Sequence, residues 1–556
     1  VVSVEVQVDA SGGASGTETT FISASAIGSD GPGGMGDATN ITVHLDPISL
    51  VEALEDGDPV SAWADASAFG NDATQSTGGV QHVYRQRSGS VNESPVLEFD
   101  GSDDGFDLDD SETINTKDVT LQRTETFVFR ADDVSTRQVI YEEGAGTRGI
   151  SLVLDGGNLV ATAWNNADDD RVDGGEDATT PWEDASGGDG ILSLSTGVST
   201  GTVYVATLTI DFVDGTMDFV VNGETVGSAP EAGRLYSHGG NIGLGAAADQ
   251  YITGTSTLNS TDPFDGVLGD VLFHNVNLNA TQRVILHNAL GAQYGAPIFP
   301  ASDLYAGEAT EHDIDVVGVG RTSATDRHVT ARGAGLVLDV DAGLNDGDFL
   351  IAGHDTRQNG ATTADAVTGG AVTARMQRSW YVSRTEPSSS DLAVDVTFDL
   401  PETGVNAIPG DPSGYRLIHR PAGSASGTSW TVDATSATVS GTEISFAGVG
   451  LIDGREYTLA TTDRALSPIN EATIVINGTP GTASTGRIGP DRGYRFIGPL
   501  VDGADASSLQ FSDNSPFLQF PAPQGTIFYT WNETIDDPTQ PGPQEGWWEA
   551  GTSSTP

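Results

Sequence analysis

A two-residue alternation of side chains is what most limits how this chain can fold. Short runs in which apolar and polar residues alternate, Val203 to Phe212, Met217 to Val221, Leu336 to Val340 and Leu392 to Phe398, recur between turns rich in Gly, Asp and Asn. Successive side chains of a strand point to opposite faces, so the pattern calls for half-buried strands in antiparallel sandwiches. Helical periodicity is nearly absent. The exception is Asn279 to Leu290, where Asn279 is placed to cap the start and Gly291 to end it. A shorter helical candidate, Ile48 to Glu55, follows Asp46 and Pro47. The expected fold class is all-β, and 556 residues exceed what one core can hold, so several domains are expected.

Charge sets the conditions under which such domains can fold. The chain carries 79 acidic against 24 basic residues, a formal charge of -55, and Lys117 is its one lysine. In dilute buffer carboxylates at this density repel one another and weaken the compact state. At ~1 M salt the Debye length falls to roughly 3 Å and the repulsion is largely screened. The combination resembles proteins of salt-adapted organisms. It argues against nucleic-acid partners, whose phosphates need basic patches. There is no cysteine, so disulfides and thiolate metal sites are excluded. The sequence has no signal-peptide core and no run of ~18 apolar residues, and it starts at Val1. The expectation is a secreted or cell-surface protein in its mature form after signal-peptide removal, with no transmembrane segment.

Four regions are expected: an arm over residues 1–40, a large unit over 41–295, a second over 296–463 and a third over 464–556. The arm opens with VVSVEVQV, in which Val2, Val4, Val6 and Val8 share one apolar face, and continues rich in Gly, Ser and Thr. An unpaired strand of this kind is a template for another chain, which makes those four valines candidates for self-association. Pro297, Pro300 and Pro468 lie near the joins.

Within 41–295 several segments occur in a characteristic order. Trp63-Ala64-Asp65-Ala66-Ser67 is followed by Gly70-Asn71-Asp72-Ala73-Thr74-Gln75 and Pro95-Val96-Leu97-Glu98-Phe99-Asp100-Gly101, and the unit closes with Phe264-Asp265-Gly266-Val267-Leu268-Gly269-Asp270-Val271-Leu272-Phe273. Together they resemble the laminin-G-like/concanavalin A-like jelly roll of bacterial surface proteins. The next unit, with His312-Asp313-Ile314-Asp315, Arg378-Ser379-Trp380-Tyr381-Val382 and Asp453-Gly454-Arg455-Glu456-Tyr457, is similar to an uncharacterised β-domain that follows such jelly rolls in surface proteins of Bacteroidetes-type bacteria. The last unit, with Arg492-Gly493-Tyr494-Arg495-Phe496 and Gly546-Trp547-Trp548-Glu549, is similar to a module of the same proteins. The resemblance implies a jelly-roll sandwich followed by smaller β-sandwiches, and a calcium ion at the rim of the jelly roll.

Two acidic segments suit a hard cation, which takes several oxygen ligands from closely spaced loops. One is Asp168-Asp169-Asp170 with Asp173 and Asp177, of which Asp168, Asp170 and Asp173 are the candidate calcium ligands. The other is Asp100 with Asp103, Asp104 and Asp107. Trp182, in a Pro/Glu/Asp loop, is the candidate sugar-stacking residue, whereas Trp63 is expected in the core. Catalytic signals are weak. The Glu-x-Asp-x-x-Glu strand of jelly-roll glycoside hydrolases is absent, and Gly197-Val198-Ser199-Thr200-Gly201 matches a nucleophile elbow in letters but lies between strand-like runs. His312 with Asp313 and Asp315 is the densest His/Asp group, yet alternation sends 312 to the face opposite 313 and 315. The expectation is a non-catalytic structural or adhesive surface protein that assembles by strand contacts with itself or with other surface proteins. A polysaccharide-binding lectin is the alternative, and a secreted glycoside hydrolase the second.

Overall fold

The computed structural model describes residues 31–462 except 37–38, 52, 118, 166–189, 212–213, 231, 233–234, 341–342, 356–360, 363–371, 373, 388–391, 404–411 and 425–428, together with short strands between 475 and 550. The protein is all-β and multidomain. Residues 20–468 form one compact unit, and residues 1–19 with 469–556 form another. Of the latter, antiparallel pairs are described, among them Phe528–Trp531 with Trp547–Ala550.

The first sandwich is a jelly-roll-like pair of antiparallel sheets. The larger sheet has the order Glu224–Pro230, Thr216–Val221, Val203–Asp211, Gln122–Ala131, Asp265–His274, Ser94–Asp100, His82–Ser88 and Pro59–Val60, with Ile41–Leu45 also paired to Asp265–His274. The second runs Ile191–Gly197, Asn158–Asn165, Arg148–Asp155, Gln138–Gly144, Ile242–Leu244, Phe106–Leu108, Ala73–Thr74 and Ala62–Trp63. Alternation decides what each strand buries. In Gln122–Ala131, Phe127, Phe129 and Ala131 enter the core between the sheets while Val128 points the other way; in Val203–Asp211, Ala206, Leu208 and Ile210 point in and Val203 and Val205 out. Trp63 is fully buried in this core, as expected.

The outward valines are covered by the helix Ala280–Tyr294. Asn279 caps it in a reciprocal box with Gln282. The helix does not stop at Gly291, where the sequence placed its end. It runs one turn further and closes on Gly295, whose φ of +70° is the left-handed conformation that glycine tolerates. Gly291 has a packing role instead: a Cβ there would lie 2.6 Å from Ile298 Cδ1. The shorter candidate helix is reduced to a single 3-10 turn, Pro47–Leu50, capped by Asp46.

The second sandwich stacks a nine-stranded sheet on a five-stranded one. The larger sheet contains Arg327–His328, Ile314–Arg321, Phe349–His354, Trp380–Thr385, Arg455–Thr461 and Tyr415–Pro421, and the smaller runs Thr330–Gly333, Leu336–Asp339, Val394–Asp399, Glu443–Val449 and Ala437–Ser440. Leu336, Leu338, Trp380, Val396, Phe398 and Leu417 fill the space between them. The helix joins this sandwich to the first. Ile285, Leu286, Leu290 and Tyr294 pack on Val128, Val205, Val267 and Leu272, and Ala289 and Ala292 pack with Tyr305, Val316, Ile351 and Tyr381. Residues 31–36, grouped with the arm from sequence, run along the second sandwich: Gly33 N donates to Val316 O, Gly318 N donates to Gly33 O, and Met35 is buried beside the helix.

The loop that carries the opening jelly-roll motif is organised by one carboxylate. Asp65 Oδ1 accepts from the backbone N–H groups of His44 and Ser67, and Oδ2 accepts from Asn71 N and Ser67 Oγ. Asn71 Nδ2 in turn donates to Thr42 O and Thr113 Oγ1. The spacing of Asp65, Ser67 and Asn71 thus fastens the loop to the first strand. Asp65→Ala is expected to cost about 2–3 kcal/mol in chemical denaturation, since it strands donors that faced a charged acceptor; Asp65→Asn, which keeps an acceptor, should lose roughly half of that. An unchanged midpoint for Asp65→Ala would show that the hub is dispensable.

Candidate functional site

The site residues singled out in the sequence, Asp168, Asp170, Asp173, Trp182, Val2, Val4, Val6 and Val8, lie outside the described residues. The second acidic segment is described. Asp100, Asp103 and Asp104 bring one carboxylate oxygen each to within 4.8 Å of one another at the end of strand Ser94–Asp100. Asp104 Oδ2 accepts from Asp100 N and Asp100 Oδ1 from Ser102 N, so the turn is folded by its own carboxylates. Asp265 pairs with Asp100 across the sheet. Burial holds the Asp265 carboxyl above its ordinary range, and the charges of Asp132, Asp133 and Asp100 add to the effect. Asp104 is raised in the same way, first by burial. Asp107 takes no part in this trio: it sits on strand Phe106–Leu108, exposed, with its carboxyl raised by partial burial and by Asp109. An oxygen-only donor set of this kind fits a hard divalent cation.

Carboxylates with strongly shifted acidity also occur, but inside the protein. Arg123 lies between Glu125 and Glu143 in the jelly-roll core, all three side chains 5 % exposed or less. Its Nη1 and Nη2 donate to the two oxygens of Glu143 at 2.9 Å each, and Tyr141 OH donates to Oε2 at 2.8 Å. Burial alone would raise Glu143, but the guanidinium, His238 and Tyr141 hold it well below the usual carboxylate range. Among the described residues Glu125 pairs with Arg123 Nε, 2.7 Å away, and burial pushes its carboxyl up, with the charge of Glu143 adding to the effect. Glu142, beside Glu143 on strand Gln138–Gly144 but on its opposite face, is pushed up to about 8 by burial although Ala248 N and Asp249 N donate to it. Paired acid and base carboxylates can run glycoside hydrolysis when they face each other across an open cleft. Here the raised and lowered groups are sealed in a core. Gly197 to Gly201 forms a loop from strand Ile191–Gly197 to strand Val203–Asp211, without the helix that a nucleophile elbow requires.

The His/Asp group noted in the sequence separates, as alternation along the chain implied. Asp315 pairs with His354 at 2.7 Å, and Asp313 accepts from Asn92 Nδ2. His312 joins two carboxylates that the sequence did not connect to it, Asp355 after strand Phe349–His354 and Glu456 on strand Arg455–Thr461. Glu456 Oε2 accepts from Ser379 Oγ at 2.7 Å, Glu456 Oε1 pairs with Arg420 Nε, and Asp355 Oδ1 accepts from Ser379 N at 2.9 Å. These residues meet only through sheet register, which places Glu456 opposite both Tyr381 and Arg420. A second cluster, His44 with Asp46 and Asp270, is closed by hydrogen bonds: His44 Nε2 lies 3.0 Å from Asp270 Oδ1, and Tyr294 OH donates to Asp270 Oδ2.

No family model matches the chain, and no curated protein matches it. Among solved structures it is similar to domain 4 of an extracellular arabinanase from Geobacillus stearothermophilus, at 14% identity over 44% of this chain and 98% of that one, with a TM-score of 0.30. It is also similar to a pentraxin from Limulus polyphemus, at 14% identity over 36% and 83% of the two chains and a TM-score of 0.25. A carbohydrate-binding module of a Ruminococcus gnavus sialidase bound to sialyllactose gives 17% identity over 33% and 92%, with a TM-score of 0.25. Likeness at this level bears on neither activity nor ligand.

Proposed function

We propose that this chain is a non-catalytic structural or adhesive protein of an extracellular surface, of the laminin-G-like kind found in surface proteins of salt-adapted Bacteroidetes-type bacteria. The observation that carries the reading is the helix Ala280–Tyr294, which belongs to the cores of both sandwiches and welds them into one body. His287 strengthens the weld, with its Nε2 2.9 Å from Thr207 Oγ1 and its Nδ1 accepting from Gly223 N. Across the other junction, Thr281 Oγ1 donates to Asp326 O and accepts from Thr322 N. Such joints suit a stiff spacer, whereas enzymes that close on substrate need compliant ones. The sealed position of Glu125, Glu142 and Glu143 supports the same reading. Assembly by strand contacts through Val2, Val4, Val6 and Val8 completes the proposal.

The full chain at ~3 M NaCl, examined by light scattering and electron microscopy, should form ordered assemblies that disappear when residues 1–10 are deleted. Monodisperse monomers, or assemblies indifferent to the deletion, would remove the assembly role. Saturable glycan binding on an array would favour the lectin reading instead.

Calcium is proposed as the ligand of an acidic loop, either Asp168 to Asp173 or Asp100 to Asp104. Binding to the folded state alone should add about 2.7 kcal/mol at a hundred times the dissociation constant. Calorimetry in high NaCl should therefore show saturable heat, with a matching rise in melting temperature. Absence of both would exclude the ion, and loss of both in Asp103→Asn/Asp104→Asn would assign it to the second loop.

A further inference from the structure

We propose that His312, Asp355 and Glu456 bind one borderline-soft divalent cation, of which zinc is the type, on the second sandwich. The argument begins with the ring proton. His312 Nδ1 lies 2.8 Å from Thr310 O and 3.0 Å from Thr310 Oγ1, and that hydroxyl donates its own proton to Gly307 O. Both partners therefore face Nδ1 as acceptors, and Nδ1 carries the proton. This is the arrangement in which a metal-ligating histidine is oriented by a backbone carbonyl on its other nitrogen.

Nε2 then points into the protein at two carboxylates. His312 is 3 % exposed, and its Nε2 has no hydrogen-bond partner. It lies 3.4 Å from Glu456 Oε2, and one ring nitrogen of His312 falls with one oxygen each of Glu456 and Asp355 inside a group no wider than 4.8 Å. An imidazolium facing a buried carboxylate would draw it to about 2.7–2.9 Å. Ligands about 2.05 Å from a tetrahedral zinc ion stand roughly 3.3 Å apart, which is close to the separation found. The contrast with His44 is direct, since its Nε2 already meets Asp270 at hydrogen-bond distance.

The remaining atoms are held as ligands need to be. Ser379 orients both carboxylates, its Oγ donating to Glu456 and its N to Asp355, and Arg420 balances part of the negative charge. Asp355 is half-buried, whereas His312 and Glu456 are buried. One nitrogen and two carboxylates, completed by water, suit zinc and its neighbours better than calcium, which prefers six to eight oxygens.

The test uses the full chain in ~3 M NaCl with excess calcium, which saturates the acidic surface. Zinc titration by calorimetry should show one saturable site, and cobalt substituted for zinc should give the intense visible bands of a tetrahedral ion. His312→Ala should weaken zinc by about 100-fold or more, beyond the 10–100-fold typical of outer-shell changes. Asp355→Asn, which keeps an oxygen for Ser379 N on a half-buried residue, should weaken it at least ~10-fold and serves if the first variant does not fold. Asp103→Asn, on the first sandwich, should leave zinc affinity unchanged. The proposal is overturned if wild type shows no saturable zinc site under excess calcium, or if binding is indifferent to both substitutions. It is equally overturned if the His312 ring titrates as an imidazolium with no response to zinc, the signature of an ion pair alone.

Discussion

Arg123→Met is expected to destabilise the jelly roll by about 3–5 kcal/mol, because it leaves the buried carboxylate of Glu143 without its cation. Denaturant unfolding in high salt measures it directly. The same physics sets a second arm: Arg123→Met/Glu125→Gln/Glu143→Leu, which removes every charge of the cluster, should recover most of the loss, since a buried ion cluster and a well-packed apolar one are often of similar stability. A single variant as stable as wild type would mean that water reaches the cluster and solvates the carboxylates. The pH dependence follows from the signs. Glu125 and Glu142 are raised in the fold, so folding favours their protonated forms, and their contribution is full below the unfolded carboxyl range, is lost as pH rises through about 8, and changes no further above it. Glu143 is lowered, so its contribution is lost only at strongly acidic pH. Glu125→Gln/Glu142→Gln should flatten the decline between pH ~5 and ~8, and an unaltered slope would assign it elsewhere.

Melting temperature is expected to rise on the order of 5–10 °C between ~0.1 M and ~3 M NaCl, equivalent to a few kcal/mol for a body of this size. The source is the charge of -55 against 24 basic residues. Repulsion is concentrated where carboxylates face one another without a cation among them. Asp100, Asp103 and Asp104 are one place; Glu308 is another, pushed up to about 7 by burial and then by Asp303 and Asp313. The screening length falls from about 10 Å at 0.1 M to about 3 Å at 1 M, so most of the gain should appear below ~1 M. Sucrose at equal osmolality, which does not screen charge, should reproduce little of that early rise. A melting temperature that is flat or falls with salt would sink the salt-adapted reading.

The sequence by itself determined the strand architecture and the net charge on which the expected salt dependence rests. Alternation is a local property, and in strands such as Val203–Asp211 and Val394–Asp399 each inward residue had to be apolar whatever its partners were. Net charge is additive and needs no fold. The Asp65 loop entered from sequence only as part of the jelly-roll resemblance, and the structure showed its carboxylate bonding donors two and six residues on. Tertiary structure decided where the helix stops, because Gly291 answers to Ile298 and Gly295 to backbone conformation, and the letters of the two glycines are the same. It also decided which acidic groups remain charged, since the shift of Glu125 depends on a guanidinium that gives its fork to Glu143 on the facing sheet. Above all it assembled His312 with Asp355 and Glu456, 43 and 144 positions away along the numbering. Strand register brings such residues together through backbone hydrogen bonds, which carry no side-chain signature, so nothing in the three short segments announces that they meet.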